Sequence, residues 1–173
     1  MDKPTHTRMV VDMIEIITGD LLDATEKYIA HQTNCVSIGG ASGIARAIFD
    51  KYPHADCYMS HTKTDIPGTI EVRGNGVDKR FVINMFAQFY PGGLRYPDSD
   101  LDGIKAREKY FHQCLLRVAK ITDLESIAFP YKVGCGIAGG NWEHFLGTLT
   151  NFAKYVKEQQ GTRVVIYQRN EDK

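Results

Sequence analysis

The sequence predicts an α/β fold, a three-layer α/β/α sandwich around a mixed central sheet. Three observations point there. Short runs rich in Ile and Val alternate with stretches of helical period, and two glycine clusters each follow a strand and lead into a helix. One strand pair, joined through Asn75-Gly76, adds antiparallel pairing.

Taken in order, "MIEIIT" (13–18) is a first strand, ended by Gly19-Asp20, and "KYIAHQT" (27–33) is a second. Gly39-Gly40 then open a loop into "SGIARAIFDKY", where Ile44, Ala47 and Ile48 fall at helical spacing. A second helical piece is expected after Pro53, around "ADCYMSHT". The segments "GTIEVRG" and "KRFVINMFAQ" form the hairpin. "YPGGLRYPDSD" (90–100) reads as a functional loop. Helix is expected from about Leu101 to Thr122, with Ile104, Tyr110, Phe111, Cys114, Leu115 and Val118 as its apolar stripe. "SIAFPYK" is a strand, "GCGIAGG" a second glycine loop, "WEHFLGTLTNFAKYVKEQQ" a helix and "TRVVIYQ" the last strand.

A chain of 173 residues can bury its own core. We expect one domain over residues 13–169, preceded by a short N-terminal arm at 1–12. The 21 basic residues balance 21 acidic ones, which argues against a general nucleic-acid or membrane-surface binder, so an anionic ligand must be held locally. Four cysteines without CxxC spacing read as free thiols, and no apolar run reaches the roughly 18–20 residues of a membrane span. A cytoplasmic protein is the expectation.

Loops at 39–43 and 134–140 can aim backbone N–H groups and helix N-termini at phosphate oxygens beyond the carboxyl ends of parallel strands. Neither contains the Walker lysine with its Ser/Thr, nor a full GxGxxG with a downstream acid, which disfavours an NTPase or a Rossmann oxidoreductase.

Read together, "TGDLLD", "HQTNCVSIGGASGIA", "INMFAQFYPGG", "FPYKVGCGIAGGNWEHF" and "RVVIYQ" resemble a macrodomain, specifically the Appr-1″-p processing branch. The resemblance implies a pocket for ADP-ribose. Asp20 would accept from the adenine amino group, with Leu21 offering a neighbouring backbone N–H. Gly39, Gly40, Gly43 and Ile44 would bridge diphosphate and distal ribose, and Gly134, Cys135, Gly136, Ile137, Ala138 and Gly139 would wrap the other side. On chemistry alone, Asp20 is equally a helix N-cap. Gln88 and Tyr90 could line the distal end, and Tyr167 could stack on adenine.

"HQTNC" resembles the His-x-x-Asn-Cys of yeast-type ADP-ribose-1″-phosphate phosphatases. That implies His31 as the proton carrier and Asn34 as the group orienting the distal ribose. A satisfied core histidine is the alternative for His31. Glu143 is a candidate second base, or a carboxylate complementing a helix N-terminus. Ala138 stands where an ester-cleaving branch of the family carries an aspartate, and "NMFAQFYPGG" lacks that branch's lysine; the alanine would tolerate a 1″-phosphate that a carboxylate repels. Cys35 and Cys135 lie outside any Cys-x5-Arg loop and read as packing residues. Scattered histidines suggest no metal. The expected activity is metal-independent hydrolysis of ADP-ribose 1″-phosphate, with no cofactor. The alternatives are release of ADP-ribose from a protein or nucleic acid or removal of the acetyl group from O-acetyl-ADP-ribose, and a non-catalytic ADP-ribose reader.

Overall fold

The computed structural model describes residues 8–11 and 13–170. Among these residues, the seven strands are β1 (Arg8–Val11), β2 (Ile14–Thr18), β3 (Tyr28–Asn34), β4 (Ile70–Arg73), β5 (Phe81–Gln88), β6 (Ser126–Pro130) and β7 (Arg163–Gln168). The three α-helices among the described residues are α1 (Gly43–Lys51), α2 (Ile104–Val118) and α3 (Trp142–Gln160). One sheet runs β1-β2-β7-β6-β3-β5-β4. Its five inner strands are parallel, and β1 and β4 close the two edges antiparallel.

Both faces of the sheet are covered, which is why its strands read as nearly continuous apolar runs. On one face Ile83, Met85, Ile127, Phe129 and Ile166 pack with Phe111, Leu115 and Val118 of α2 and Phe145, Leu149 and Val156 of α3. On the other, Ile29, Val82, Val165 and Phe86 pack with Ile48 and Phe49 of α1. The period of two along β5 and β7 thus feeds two cores at once, giving the α/β/α sandwich.

Three local expectations are corrected. Residues 8–11, placed in the arm, pair with β2; the rest of that arm lies outside the described residues. The helical piece after Pro53 is only a 3₁₀ turn, Pro53–Ala55. The Asp56 carboxylate then accepts from the N–H groups of Tyr58 and Met59, and this local bonding diverts the chain from helix. Helix α2 begins at Ile104 because Ser99 Oγ takes the N–H groups of Leu101 and Asp102. Ile104 itself is 46% exposed, and Ala106 and Arg107 occupy the buried stripe instead. By contrast α3 starts at Trp142, capped by Asn141, and stops at Gly161 in the left-handed conformation. Among the described residues, no helix is long and apolar enough to cross a membrane.

Candidate functional site

A cavity of about 370 Å³ lies beyond the carboxyl ends of the parallel strands. Strand order sets its layout: the turn after β2 and the end of β7 form one end, the loops after β3 and β6 the middle, and the end of β5 the other.

At the first end, Asp20 and Leu21 line the cavity. Asp20 Oδ1 accepts from Leu22 N–H at 2.9 Å, so the capping role is real and leaves the second carboxylate oxygen for other partners. Tyr167 lines the same end while its hydroxyl donates to Glu26 Oε1 at 2.8 Å. Burial, then the Glu26 bond, push this phenol up to about 12, so it is neutral. Glu26 is also gripped by Arg163, which fixes the ring from behind.

In the middle, the loop after β3 is shaped by side chains. Asn34 Oδ1 accepts from Val36 and Ser37 N–H at 3.0 and 2.8 Å, and Asn34 donates its backbone N–H and one Nδ2 hydrogen to Tyr58 Oη. Burial raises the Tyr58 hydroxyl well above the usual phenol range. His61 Nδ1 donates to Ser37 O at 2.5 Å, and its Nε2 pairs with Asp65. The loop leads to the N-terminus of α1, where Ser42 makes no side-chain cap and Ser42, Gly43, Ile44 and Ala45 all line the cavity. Uncapped N–H groups at a helix start are donors for an anion.

The loop after β6 is shaped by its own backbone: Cys135 N–H donates to Lys132 O, Gly139 N–H to Gly136 O and Gly140 N–H to Gly134 O. Gly134 has φ +78°, and a Cβ there would come within 2.5 Å of the Phe145 ring and 2.7 Å of Gln32 Oε1, so only glycine fits. Ile137 reaches across to Gly43, where an added Cβ would lie 3.3 Å from its Cδ1.

At the far end, Gln32 Nε2 donates to Gln88 Oε1, and Gln88 Nε2 donates to Tyr90 O and Gly92 O. Those carbonyls fix the orientation of both amides. Gln32, Asn34, Gln88, Gly92 and Ala138 line this end, with no carboxylate among them. Among the described residues, no group of three His, Cys, Asp or Glu is placed to hold a metal ion.

The structure therefore gathers Asp20, Leu21, Asn34, Gly40, Gly43, Ile44, Gln88, Gly134, Gly136, Ile137 and Ala138 around one cavity. Gly39, Cys135 and Gly139 belong to the same loops without lining it. Cys35 and Cys135 are packing residues, with burial pushing each thiol up to about 12 and so denying both a thiolate.

Two catalytic expectations are corrected. His31 is fully buried, with its ring edge-on to Phe49 at 5.3 Å, and it does not line the cavity. Its Nε2 donates to Asn84 Oδ1 at 2.6 Å, an orientation fixed because Asn84 Nδ2 donates to Ala55 O. Burial pushes the imidazole down to about 4, so the ring is neutral and serves the β3–β5 pairing. The even spacing of His31 with Ile29 and Thr33 sends it to the α1-side core. Glu143 is exposed on the first turn of α3, outside the cavity.

Sequence reasoning missed Gln32, Tyr58, His61 and the buried pair Asp102–Arg107. Tyr58 and His61 lie in the stretch expected to be helical, and Arg107 reads as one more charge on an amphipathic helix. No spacing marks any of them.

No family model matches the chain, and no curated protein matches it. Solved structures do. The macrodomain of Thermus aquaticus DarG shares 23% identity over 90% of this chain and 98% of its own, with a TM-score of 0.67. A mutant Oceanobacillus iheyensis macrodomain solved with ADPR shares 20% over 97% and 92%, with a TM-score of 0.62. The Trypanosoma brucei macrodomain shares 18% over 93% and 64%, at 0.62. The seven-stranded mixed sheet between helical layers is thus the macrodomain fold. At these identities the likeness concerns the fold, and the particular activity has to be argued from this chain's own site.

Proposed function

We propose that the cavity binds ADP-ribose or a close derivative. The observation that carries this reading is one continuous cavity along five strand ends, with a carboxylate at one end, amides at the other and the uncapped N-terminus of α1 between them. That order of chemistry matches an adenine amine, a diphosphate and a terminal sugar. Asp20 offers its free carboxylate oxygen to the adenine amino group, beside the Tyr167 ring. The N–H groups at Gly43 and Ile44, with those of the loop across from them, take the diphosphate, and Lys132 on the cavity wall adds a positive charge. Asn34, with one amide hydrogen uncommitted to Tyr58, orients the distal ribose. Macrodomains of this fold solved with ADPR and with ADP support the same choice.

Hydrolysis of ADP-ribose 1″-phosphate is the second reading, favoured by one observation: the distal end carries Ala138 and amides but no carboxylate, so a phosphate there meets no like charge. In that reaction water attacks phosphorus, the P–O bond to the ribose 1″-oxygen breaks, and that oxygen takes up a proton. His31 and Glu143 do not reach the site, so the protein would contribute orientation and hydrogen bonds to the phosphoryl oxygens, and water would carry the protons. Release of ADP-ribose from macromolecules would need the same distal end to admit a larger group. ADP-ribose recognition without turnover needs nothing further.

Calorimetric titration with ADP-ribose, beside phosphate release from ADP-ribose 1″-phosphate, tests both. Binding that Asp20→Ala weakens about tenfold or more supports the ADP-ribose reading, and no binding of ADP-ribose or AMP overturns it. Phosphate release that Asn34→Ala abolishes and His31→Asn leaves in place supports hydrolysis; binding without release leaves a reader.

A further inference from the structure

Arg107 is 3% exposed, and all five of its guanidinium hydrogens are committed. Nε donates to Asp102 Oδ1 at 3.0 Å, and Nη2 to Asp102 Oδ2 at 2.7 Å. Nη1 donates to Gly92 O at 2.9 Å and Ala138 O at 3.1 Å, while Nη2 also reaches Tyr90 O and Gly93 O at 3.2 and 3.3 Å. Asp102, 2% exposed, accepts in addition from Phe89 N–H at 2.7 Å. One ion pair thereby grips the chain leaving β5 at residues 89, 90, 92 and 93, and the loop after β6 at Ala138.

Those two segments face each other at one end of the cavity, where Gly92 and Ala138 both form its wall. Stability alone is a poor reason for the pair, because apolar residues of similar volume commonly serve a core as well as a buried ion pair does. A planar fork with five fixed donors, however, specifies geometry that a lysine ammonium cannot reproduce.

We infer that Arg107, oriented by Asp102, is a positioning residue that locks the 89–93 segment and the Ala138 turn into one preformed wall for the far end of the ligand. The identity of that ligand rests on the ADP-ribose reading; the locking does not. The Gln32–Gln88 amide pair leans on the same Tyr90 and Gly92 carbonyls, so freeing the clamp also frees the amides of that end.

The test has a ligand-free arm and a ligand arm. In the unmodified protein, NMR should show slowly exchanging Arg107 guanidinium hydrogens; fast exchange would overturn the proposal. In Arg107→Lys without ligand, amide protection should fall together in residues 89–93 and 134–140 and stay unchanged in 36–43. A fall in one loop only, or in all three, would also overturn it. In the ligand arm, Arg107→Lys should lose about tenfold or more in ADP-ribose affinity while AMP, which lacks the distal ribose, binds within about threefold of the original. Val118→Ala, in the same helix but away from the cavity, serves as the control: it should lower the melting temperature without changing either affinity. Equal losses for both nucleotides would assign Arg107 a general structural role. Absence of nucleotide binding in the unmodified protein would overturn the functional reading and leave the exchange arm to decide the clamp.

Discussion

The two glycine-rich loops flank one cavity, yet they are shaped by opposite means. After β3, side chains do the shaping: Asn34 takes two backbone N–H groups, and His61 takes the Ser37 carbonyl. After β6, the backbone folds on itself through three tight N–H to C=O bonds, and Arg107 adds one external tie at Ala138. The helices behind them differ to match. Asn141 closes the start of α3 by accepting from His144 N–H, whereas Ser42 leaves the start of α1 open. Of these two helix N-termini, that of α1 lines the cavity and that of α3 does not, although both follow a strand and a glycine cluster.

The sharpest way to break this comparison is to add a methyl group to each loop. At Gly134 a Cβ meets both a left-handed backbone and the Phe145 ring, so Gly134→Ala should destabilise by about 3 kcal/mol. At Gly40, φ is +66° but nothing lies within 4 Å, so Gly40→Ala should cost only the backbone strain, about 1 kcal/mol. Chemical denaturation of both variants decides the matter; equal losses would mean that packing does not distinguish the loops.

Beneath the β3 side, His31 supplies a pH dependence of nearly the same size. Folded, its ring stays neutral down to about pH 4; unfolded, it protonates near 6.5. Between those values the unfolded chain binds the extra proton, so acid favours unfolding. The contribution is complete above about pH 6.5 and shrinks by about 3 kcal/mol as the pH falls to about 4, below which it levels off. Denaturation midpoints between pH 7.5 and 5 should show this slope in the parent and lack it in His31→Asn. An unchanged slope in the variant would place the titration elsewhere.

Asn34→Ala tests the side-chain-shaped loop directly. Losing acceptors for two backbone N–H groups should cost about 2 kcal/mol and weaken ADP-ribose binding about tenfold or more. Intact affinity with lowered stability would show that the loop keeps its shape by other means.

The sandwich and most element boundaries were legible because two-sided burial writes itself as short, nearly continuous apolar runs, and because α3 carries its apolar residues at helical spacing. Both glycine loops were legible from glycine clusters placed between a strand and a helix. What the sequence concealed are groups that meet only through tertiary folding. Tyr58 and His61 join Asn34 and Ser37 across more than twenty residues, and Arg107 reaches Ala138 across 31. The motif containing His31 was visible, but the direction in which its side chain points depends on strand register, and that sends it into the core rather than the cavity. Glu143 failed more simply, since a capped helix start faces its first-turn carboxylate to solvent.

The finest test of the loop comparison lies in the two caps, where the expected effects are smallest. Asn141 Oδ1 accepts from His144 N–H at 3.2 Å, so Asn141→Ala removes a working cap and should cost about 1 kcal/mol. Ser42 makes no such bond, and Ser42→Ala should change stability by less than about 0.5 kcal/mol in the free protein. The ordering should reverse when ligand binding is measured. Ser42 lines the cavity at the open N-terminus of α1, so on the proposed ADP-ribose reading Ser42→Ala should weaken ADP-ribose binding measurably. Asn141→Ala should leave that affinity unchanged, because the helix start it caps does not line the cavity. Paired melting curves and titrations on the two variants separate a helix start that stabilises the fold from one kept open for an anion. If Asn141→Ala proved the more damaging to binding, the diphosphate would have to sit on α3 instead.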